Sequence, residues 1–178
     1  GKMASLSEDW FIEKNTKEID SDLSPGRILS SQKSLKAEIE TNEELSRKYT
    51  ISGKIDLLIE FEDGTYGIFD CKNTSGDSDK SWMYHTQLAA YKYCFEKMGL
   101  GEVSQIGLIY QIIDGFYKSD DGTSNFTTEQ KFVNVSPKMD QFEKLLSSVI
   151  QCLESDVTPN SSPNCSFCKF AEKYNENL

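Results

Sequence analysis

Two aspartates and a lysine occupy neighbouring segments of this chain at spacings that let them act together. Asp56 lies in the segment 51–61, and Asp70 and Lys72 lie in the segment 66–72. Side chains two residues apart on a β-strand project from the same face, so Asp70 and Lys72 are expected to lie side by side. Bringing two carboxylates and an ammonium together costs free energy unless the charges are paired or bind a metal ion.

The chemistry that these residue types suit is the binding of a hard divalent cation. Asp56 and Asp70 can hold Mg²⁺ or Mn²⁺ through oxygen, and the backbone carbonyl of Cys71 can add a third oxygen ligand. Such a metal lowers the pKa of a bound water and stabilises charge on a phosphoryl oxygen. Lys72 can orient that water or neutralise the developing negative charge. Each residue alone is best interpreted as a solvated surface group, but together they predict phosphodiester hydrolysis.

An alternating pattern predicts the strands that carry these side chains. Between Thr50 and Phe61 the odd positions are largely apolar, and the other face carries Ser52, Lys54, Asp56 and Glu60. This pattern is typical of a half-buried strand with Asp56 on its polar side. The Asp-Gly pair in segment 62–65 predicts a tight turn, after which residues 66–72 form the returning strand of a hairpin.

A helix is predicted for residues 81–98, after a polar loop at 73–80. Its apolar stripe at helical spacing includes two residues with polar groups, Gln87 and Tyr91, which are one turn apart. His85, the one histidine of the chain, has no partner at ligand spacing and no nucleophile-elbow motif, so an ordinary helix residue is expected there.

These motifs resemble the PD-(D/E)XK nuclease superfamily, and within it the RecB-type exonuclease domains. The resemblance rests on the aspartate strand 53–56, the sequence Asp70-Cys71-Lys72 after a hairpin, and the helix motif QxxxY at 87–91. It covers roughly residues 26–115. It implies a restriction-endonuclease-like α/β core, in which a central mixed β-sheet is flanked by helices.

The resemblance also implies roles for individual residues. Asp56, Asp70 and the Cys71 carbonyl are the expected ligands of Mg²⁺ or Mn²⁺, and Lys72 assists the attacking water. Gln87 and Tyr91 are expected to line the cleft, where they contact the substrate phosphate or the surroundings of Lys72.

In RecB-type domains, the helix before the aspartate strand commonly carries a metal-binding His or Glu. In this chain that helix is assigned to residues 27–48, a segment that contains no histidine. Glu38 or Glu40 can substitute, but the sequence favours a solvated helix glutamate at each position.

The remaining segments complete a predicted order α-β-β-α-β-β-α. Weak helical periodicity marks residues 6–19, β-branched residues predict a strand at 103–114, and a turn at 120–122 leads to a strand at 126–135. A helix is predicted from the Pro137 region to about Leu153. We therefore expect a single nuclease-like domain over residues 1–178, with an N-terminal cap at 1–25 and a cysteine-containing tail at 158–178.

Composition limits the partners and the location. The 178 residues include no apolar run of the roughly 20 residues that span a bilayer, and the first residues lack the apolar core of a secretory signal, so an intracellular, cytoplasmic protein is expected. The net charge of −10 opposes non-specific binding of nucleic acid. A DNA-cutting enzyme of this charge is expected to bind weakly alone or to depend on a helicase or another protein partner.

Five cysteines are present, two of which form the C-x-x-C sequence Cys165–Cys168. Iron–sulfur members of the RecB-type branch have such a pair, a further cysteine just beyond it and a fourth upstream of the core. Here Tyr174 stands at the third position, and no cysteine precedes Cys71. An iron–sulfur cluster is therefore not expected, and the pair is interpreted as a reduced remnant that packs the tail.

The leading hypothesis is a Mg²⁺- or Mn²⁺-dependent deoxyribonuclease that acts on ends or single strands, as an exonuclease of DNA repair, recombination or defence. The alternative is a catalytically weak or inactive nuclease-fold module that binds a protein or nucleic-acid partner. The net charge of −10 and the missing upstream histidine favour this alternative. The motifs do not distinguish DNA from RNA.

Overall fold

A five-stranded mixed sheet organises the computed structural model, which describes residues 2–39, 47–76 and 80–175. The strands lie side by side in chain order: β1 (Gly26–Ile39), β2 (Tyr49–Phe61), β3 (Tyr66–Thr74), β4 (Val103–Lys118) and β5 (Ser124–Asn134). Neighbouring strands are antiparallel except β3 and β4, which are parallel. A parallel pair needs a crossover connection, and here a helix supplies it.

The helices of the described residues are α1 (Lys2–Phe11), α2 (Thr16–Ile19), α3 (His85–Lys97), α4 (Met139–Glu154) and α5 (Ser166–Asn175), and a 3₁₀ turn at Ser81–Tyr84 precedes α3. The chain divides into two compact units, residues 1–142 and 143–178. The sheet and the first three helices belong to the first unit. None of the helices described is long and apolar enough to span a membrane.

Helices cover the sheet of the first unit on both faces, which gives it two hydrophobic cores. One core contains Leu58, Ile68 and Leu108 together with Leu88 of α3. The other contains Leu57, Phe69 and Ile109 together with Phe11 of α1. The mixed sheet flanked by helices confirms the predicted α/β fold class.

The prediction that β2 is half-buried is confirmed over most of its length. The odd positions from Ile55 to Phe61 are buried, whereas Ser52 and Lys54 on the other face are exposed. Leu58 is the exception, because it is buried on the face that otherwise carries Lys54, Asp56 and Glu60. Asp56 is half-buried on this face, so its carboxylate needs specific partners.

The assignment of residues 27–48 to a helix is wrong for residues 27–39, because the structure has strand β1 there, and residues 40–46 lie outside the described residues. Its buried positions change parity, from Ile28 to Leu35 and Ala37. A bulge between Ile28 and Ser30, followed by Gln32 at a φ of 57°, causes this change. The interrupted alternation therefore hid the strand from a period-two search.

The other predicted elements are confirmed, with shifted ends. The β2–β3 hairpin turns at Gly64, whose φ of 83° is easily adopted only by glycine. Strands β4 and β5 extend beyond the predicted segments and join through a turn that contains Gly122. The N-terminal segment forms two helices, and the tail contains α5, which was not predicted.

Candidate active site

The sheet opens between β2 and β3, and the predicted site lies at this opening. The two strands pair only from Leu57↔Phe69 to Glu60↔Tyr66. On one side of this short ladder β2 continues along β1, while β3 continues along β4. Asp56 and Asp70 are the first residues past the last pair, so the register places them across the opening from each other.

The Asp56 carboxylate bridges the opening to β3. Its Oδ2 atom accepts a hydrogen bond from the backbone N–H of Cys71 at 2.8 Å. Its Oδ1 atom lies 3.4 Å from Nε2 of Gln32 on β1. The Asp56 carboxylate thus takes the place of a backbone carbonyl as the acceptor of an interstrand hydrogen bond. The Cys71 N–H thereby holds the carboxylate next to Asp70.

Asp70 is the most enclosed acid of the site, with 2% of its surface exposed. Its Oδ1 atom accepts a hydrogen bond from Gln87 Nε2 at 3.0 Å, and its Oδ2 atom forms an ion pair with Lys72 Nζ. Burial raises the pKa of Asp70 to about 6, which the Lys72 ammonium opposes and the Asp56 carboxylate reinforces. Burial therefore disfavours the charged form of Asp70 in the metal-free site.

Lys72 lies on the same side of β3 as Asp70, as the sequence spacing predicts. Its ammonium is half-buried and lies 5.0 Å from the centre of the Tyr84 ring. Burial acts to lower the pKa of Lys72, but the interactions with Asp70 and Asp56 outweigh burial, and the net change is upward. Lys72 is thus a fixed positive charge in this site, not a proton acceptor at neutral pH.

The helix motif residues Gln87 and Tyr91 reach the site from α3. The Gln87 amide donates to Asp70 and also lies 2.7 Å from the Tyr91 hydroxyl. The Tyr91 ring packs directly on β2 at Gly53, where an added Cβ would lie 2.7 Å from the ring carbon Cε1. Glycine at this position therefore permits the close approach of α3 that brings Gln87 to Asp70.

A third acidic residue, Glu8 of α1, was missed by sequence reasoning. It has 3% of its surface exposed and accepts a hydrogen bond from the same Gln32 amide that approaches Asp56. Burial raises the pKa of Glu8, the Gln32 hydrogen bond lowers it, and Asp56 raises it further. Its spacing of three residues from the core residue Phe11 was the available signal, because it places Glu8 on the inward face of α1.

Other sequence candidates lie elsewhere. Glu38 is exposed on β1, and Glu40 lies outside the described residues. The His85 Nδ1 atom is 3.0 Å from the Ser136 carbonyl oxygen and takes no part in the aspartate cluster. Cys165 and Cys168 belong to the second unit, where the Cys168 N–H donates to the Cys165 Sγ atom at 3.3 Å.

The donor chemistry of the cluster fits a hard divalent cation. Glu8, Asp56 and Asp70 offer carboxylate oxygens, and Asp70 Oδ2 has an ion pair but no regular hydrogen bond. Among the described residues, no three His, Cys, Asp or Glu side chains already enclose an ion position. Mg²⁺ keeps several waters and needs only one or two protein carboxylates, so the facing pair Asp56 and Asp70 suffices.

The change Glu8→Gln is expected to weaken the binding of Mn²⁺ by roughly tenfold or more, because it removes one negative charge from the cluster but preserves the side-chain shape. Calorimetric titration with Mn²⁺ measures this change. Asp9→Asn is the matched control, since Asp9 is the adjacent acid on the same helix but is exposed. Equal Mn²⁺ affinities of the two variants would show that Glu8 is only a structural residue.

Comparison with known proteins gives one family assignment. The family model described as the PD-(D/E)XK nuclease superfamily matches residues 6–172. No curated protein matches the chain. A solved structure titled "Crystal structure of SSO0001" is similar, with 17% identity and a TM-score of 0.47 over 80% of this chain, and the match covers 58% of that structure's chain.

Proposed function

The chain belongs to the PD-(D/E)XK nuclease superfamily, and from this premise we propose that it is a Mg²⁺- or Mn²⁺-dependent deoxyribonuclease. Nucleases of this superfamily generally use divalent metals. The observation that supports the proposal best is the pairing of Asp56 with Asp70 across the opening between β2 and β3, with Lys72 on the same carboxylate. Two carboxylates and a cation are groups that metal-assisted hydrolysis of a phosphodiester can use.

Asp56 and Asp70 are the proposed metal ligands, together with the Cys71 carbonyl and with Glu8 as a further acidic group. The bound metal supplies Lewis acidity and lowers the pKa of a coordinated water. The Cys71 N–H and the Gln87 amide hold Asp56 and Asp70 in place, so little reorganisation is needed at the moment of reaction.

Lys72 is the proposed catalytic cation. Because the pKa of Lys72 is raised, its ammonium stays charged and can stabilise the negative charge that develops on the phosphoryl group. Tyr84 limits the positions of the ammonium from one side. Tyr91 is proposed to orient Gln87 and to form part of the wall along which the phosphate passes.

We propose DNA ends or single strands as the substrate, in an exonuclease-like role in repair, recombination or defence. The net charge of −10 favours weak intrinsic affinity for duplex DNA. A helicase or another protein partner that delivers the strand would overcome this weakness. The chain spans about 58% of the similar solved structure.

A second candidate function is a nuclease-fold module that binds a partner without cutting. The ion pair between Lys72 and Asp70 favours it, because this pair already occupies one of the carboxylate oxygens that a metal needs. The two functions differ in metal binding: a nuclease binds Mn²⁺ in a way that depends on Asp70, whereas a scaffold does not.

Cleavage of end-labelled single-stranded and duplex DNA at low salt tests the proposal. We expect cleavage with Mn²⁺ or Mg²⁺ that stops when a chelator is added, and a preference for single strands or ends. A parallel assay with labelled RNA determines the nucleic acid that is cut. Intact DNA at every metal concentration, with a folded protein, would contradict the deoxyribonuclease proposal.

A further inference from the structure

An open groove of about 510 Å³ lies beside α1, on the face of the sheet opposite α3. Leu6 and Trp10 form its helical wall, and its floor consists of Asn73, Gln111, Thr128 and Gln130 on the last three strands. Asn73 follows Lys72 directly on β3, so its side chain projects from the opposite face of the sheet. The groove and the Asp70–Lys72 pair therefore lie at the same part of β3 but on opposite faces.

The floor of the groove is built from ordered amides. The Thr128 hydroxyl donates to Gln111 Oε1 at 3.2 Å, the Gln111 amide donates to Gln130 Oε1 at 2.9 Å, and the Gln130 amide donates to the Ile19 carbonyl at 2.7 Å. This chain of hydrogen bonds fixes the orientation of each amide. Amide side chains that are held in this way can pair with the edges of nucleobases.

The helical wall presents an exposed aromatic ring with a cation beside it. Trp10 has 57% of its surface exposed, although it is adjacent to the fully buried Phe11. The Lys14 ammonium lies 4.3 Å from the centre of the Trp10 ring. The ammonium covers one face of the ring and also pairs with Glu18 at 3.9 Å, so a base would stack on the other face of the ring.

A second aromatic platform continues the same face. Beyond Thr74↔Ile112, where β3 ends, β4 and β5 form a two-stranded ribbon. Phe116 and Phe126 are paired across it with ring centres 5.3 Å apart, and both are mostly exposed. Phe126 has the same parity on β5 as Gln130 and lies roughly 13 Å from it along the strand.

We propose that the groove and the ribbon bind unpaired nucleobases of a single-stranded nucleic acid. This inference rests on the proposed function and names the substrate as a single-stranded segment. The charge of the chain supports it, because at −10 the attraction to phosphates is weak, whereas base stacking does not depend on net charge. The ordered amides favour a base over an apolar peptide as the occupant.

The test compares binding of a short oligothymidylate with that of an abasic oligomer of equal length, by fluorescence anisotropy without metal. Both oligomers carry the same phosphates, so only the former reports stacking. We expect Trp10→Ala and Phe126→Ala each to weaken oligothymidylate binding by at least about fivefold, with little change for the abasic oligomer. Trp10→Phe, which keeps an aromatic ring, is expected to restore most of the affinity.

Tyr117→Ala is the matched control, since Tyr117 is an exposed aromatic residue on the opposite face of the ribbon and should have no effect. Unchanged affinity in Trp10→Ala and Phe126→Ala overturns the groove proposal, and wild-type cleavage of DNA then leaves the nuclease proposal intact. Base-dependent binding by a wild type that cleaves no DNA would support the groove proposal and contradict the nuclease proposal. Preference for the abasic oligomer, or equal loss in Tyr117→Ala, also overturns the groove proposal.

Discussion

The change Lys72→Ala is expected to lower the rate of DNA cleavage by about 10²–10³-fold, the usual effect of losing one charge that stabilises a transition state. Binding of Mn²⁺ is expected to persist or to become tighter, because the ammonium no longer competes for Asp70 Oδ2. Single-turnover cleavage and calorimetric titration of the same preparation measure the two quantities. Loss of cleavage with retained metal binding distinguishes a catalytic lysine from a structural one.

Lys72→Ala is also expected to lower the free energy of unfolding, and this effect must be measured separately from the effect on cleavage. Asp70 would remain buried without its cation, and the pKa of Asp70 would rise further. Partial protonation limits the loss of unfolding free energy to about 1–3 kcal/mol. Lys36→Ala serves as the control, because Lys36 is an exposed lysine on β1. Full activity in Lys72→Ala would remove Lys72 from the mechanism.

The change Asp70→Asn is expected to abolish metal-dependent cleavage and also to alter how stability depends on pH. In the folded, metal-free protein burial raises the pKa of Asp70 from 3.8 to about 6. A group with a raised pKa contributes stability that is complete below 3.8 and is lost as the pH rises through about 6. The loss amounts to about 3 kcal/mol of unfolding free energy for this one carboxyl.

Urea denaturation without metal, repeated from acidic to neutral pH, measures this effect. The wild type is expected to lose stability over that interval relative to Asp70→Asn, whose side chain does not titrate. Addition of Mn²⁺ at neutral pH should stabilise the wild type more than Asp70→Asn, because the variant lacks one of the two proposed aspartate ligands. Parallel profiles of stability against pH for the two proteins would show that folding does not raise the pKa of Asp70.

The central motif could be predicted from sequence because its geometry is local. The spacing of Asp70 and Lys72 places them on one face of any strand, and a hairpin between Phe61 and Tyr66 brings Asp56 to the neighbouring strand. The family resemblance predicted that Gln87 lines the cleft near the substrate phosphate or Lys72, whereas its hydrogen bond to Asp70 is a finding of the structure. Its physical cause, the packing of the Tyr91 ring on a glycine of β2, required the structure.

Strand β1 and the role of Glu8 were not predicted. The first has an interrupted alternation of buried residues, and the second depends on a contact between residues distant in sequence. Strand β1 was hidden because a bulge after Ile28 reverses the parity of its buried residues. Glu8 was missed because the search for a further acidic ligand was confined to residues 27–48. Its role depends on Gln32, a partner 24 residues away at a positive φ, which no periodicity indicates.

The most direct test of the proposed site is anomalous diffraction from a crystal soaked in Mn²⁺ at neutral pH. We expect one strong peak between Asp56 and Asp70, within bonding distance of the Cys71 carbonyl, with Lys72 displaced from Asp70 Oδ2. Absence of a peak there, with the ion pair between Lys72 and Asp70 intact, would contradict the metal-dependent mechanism.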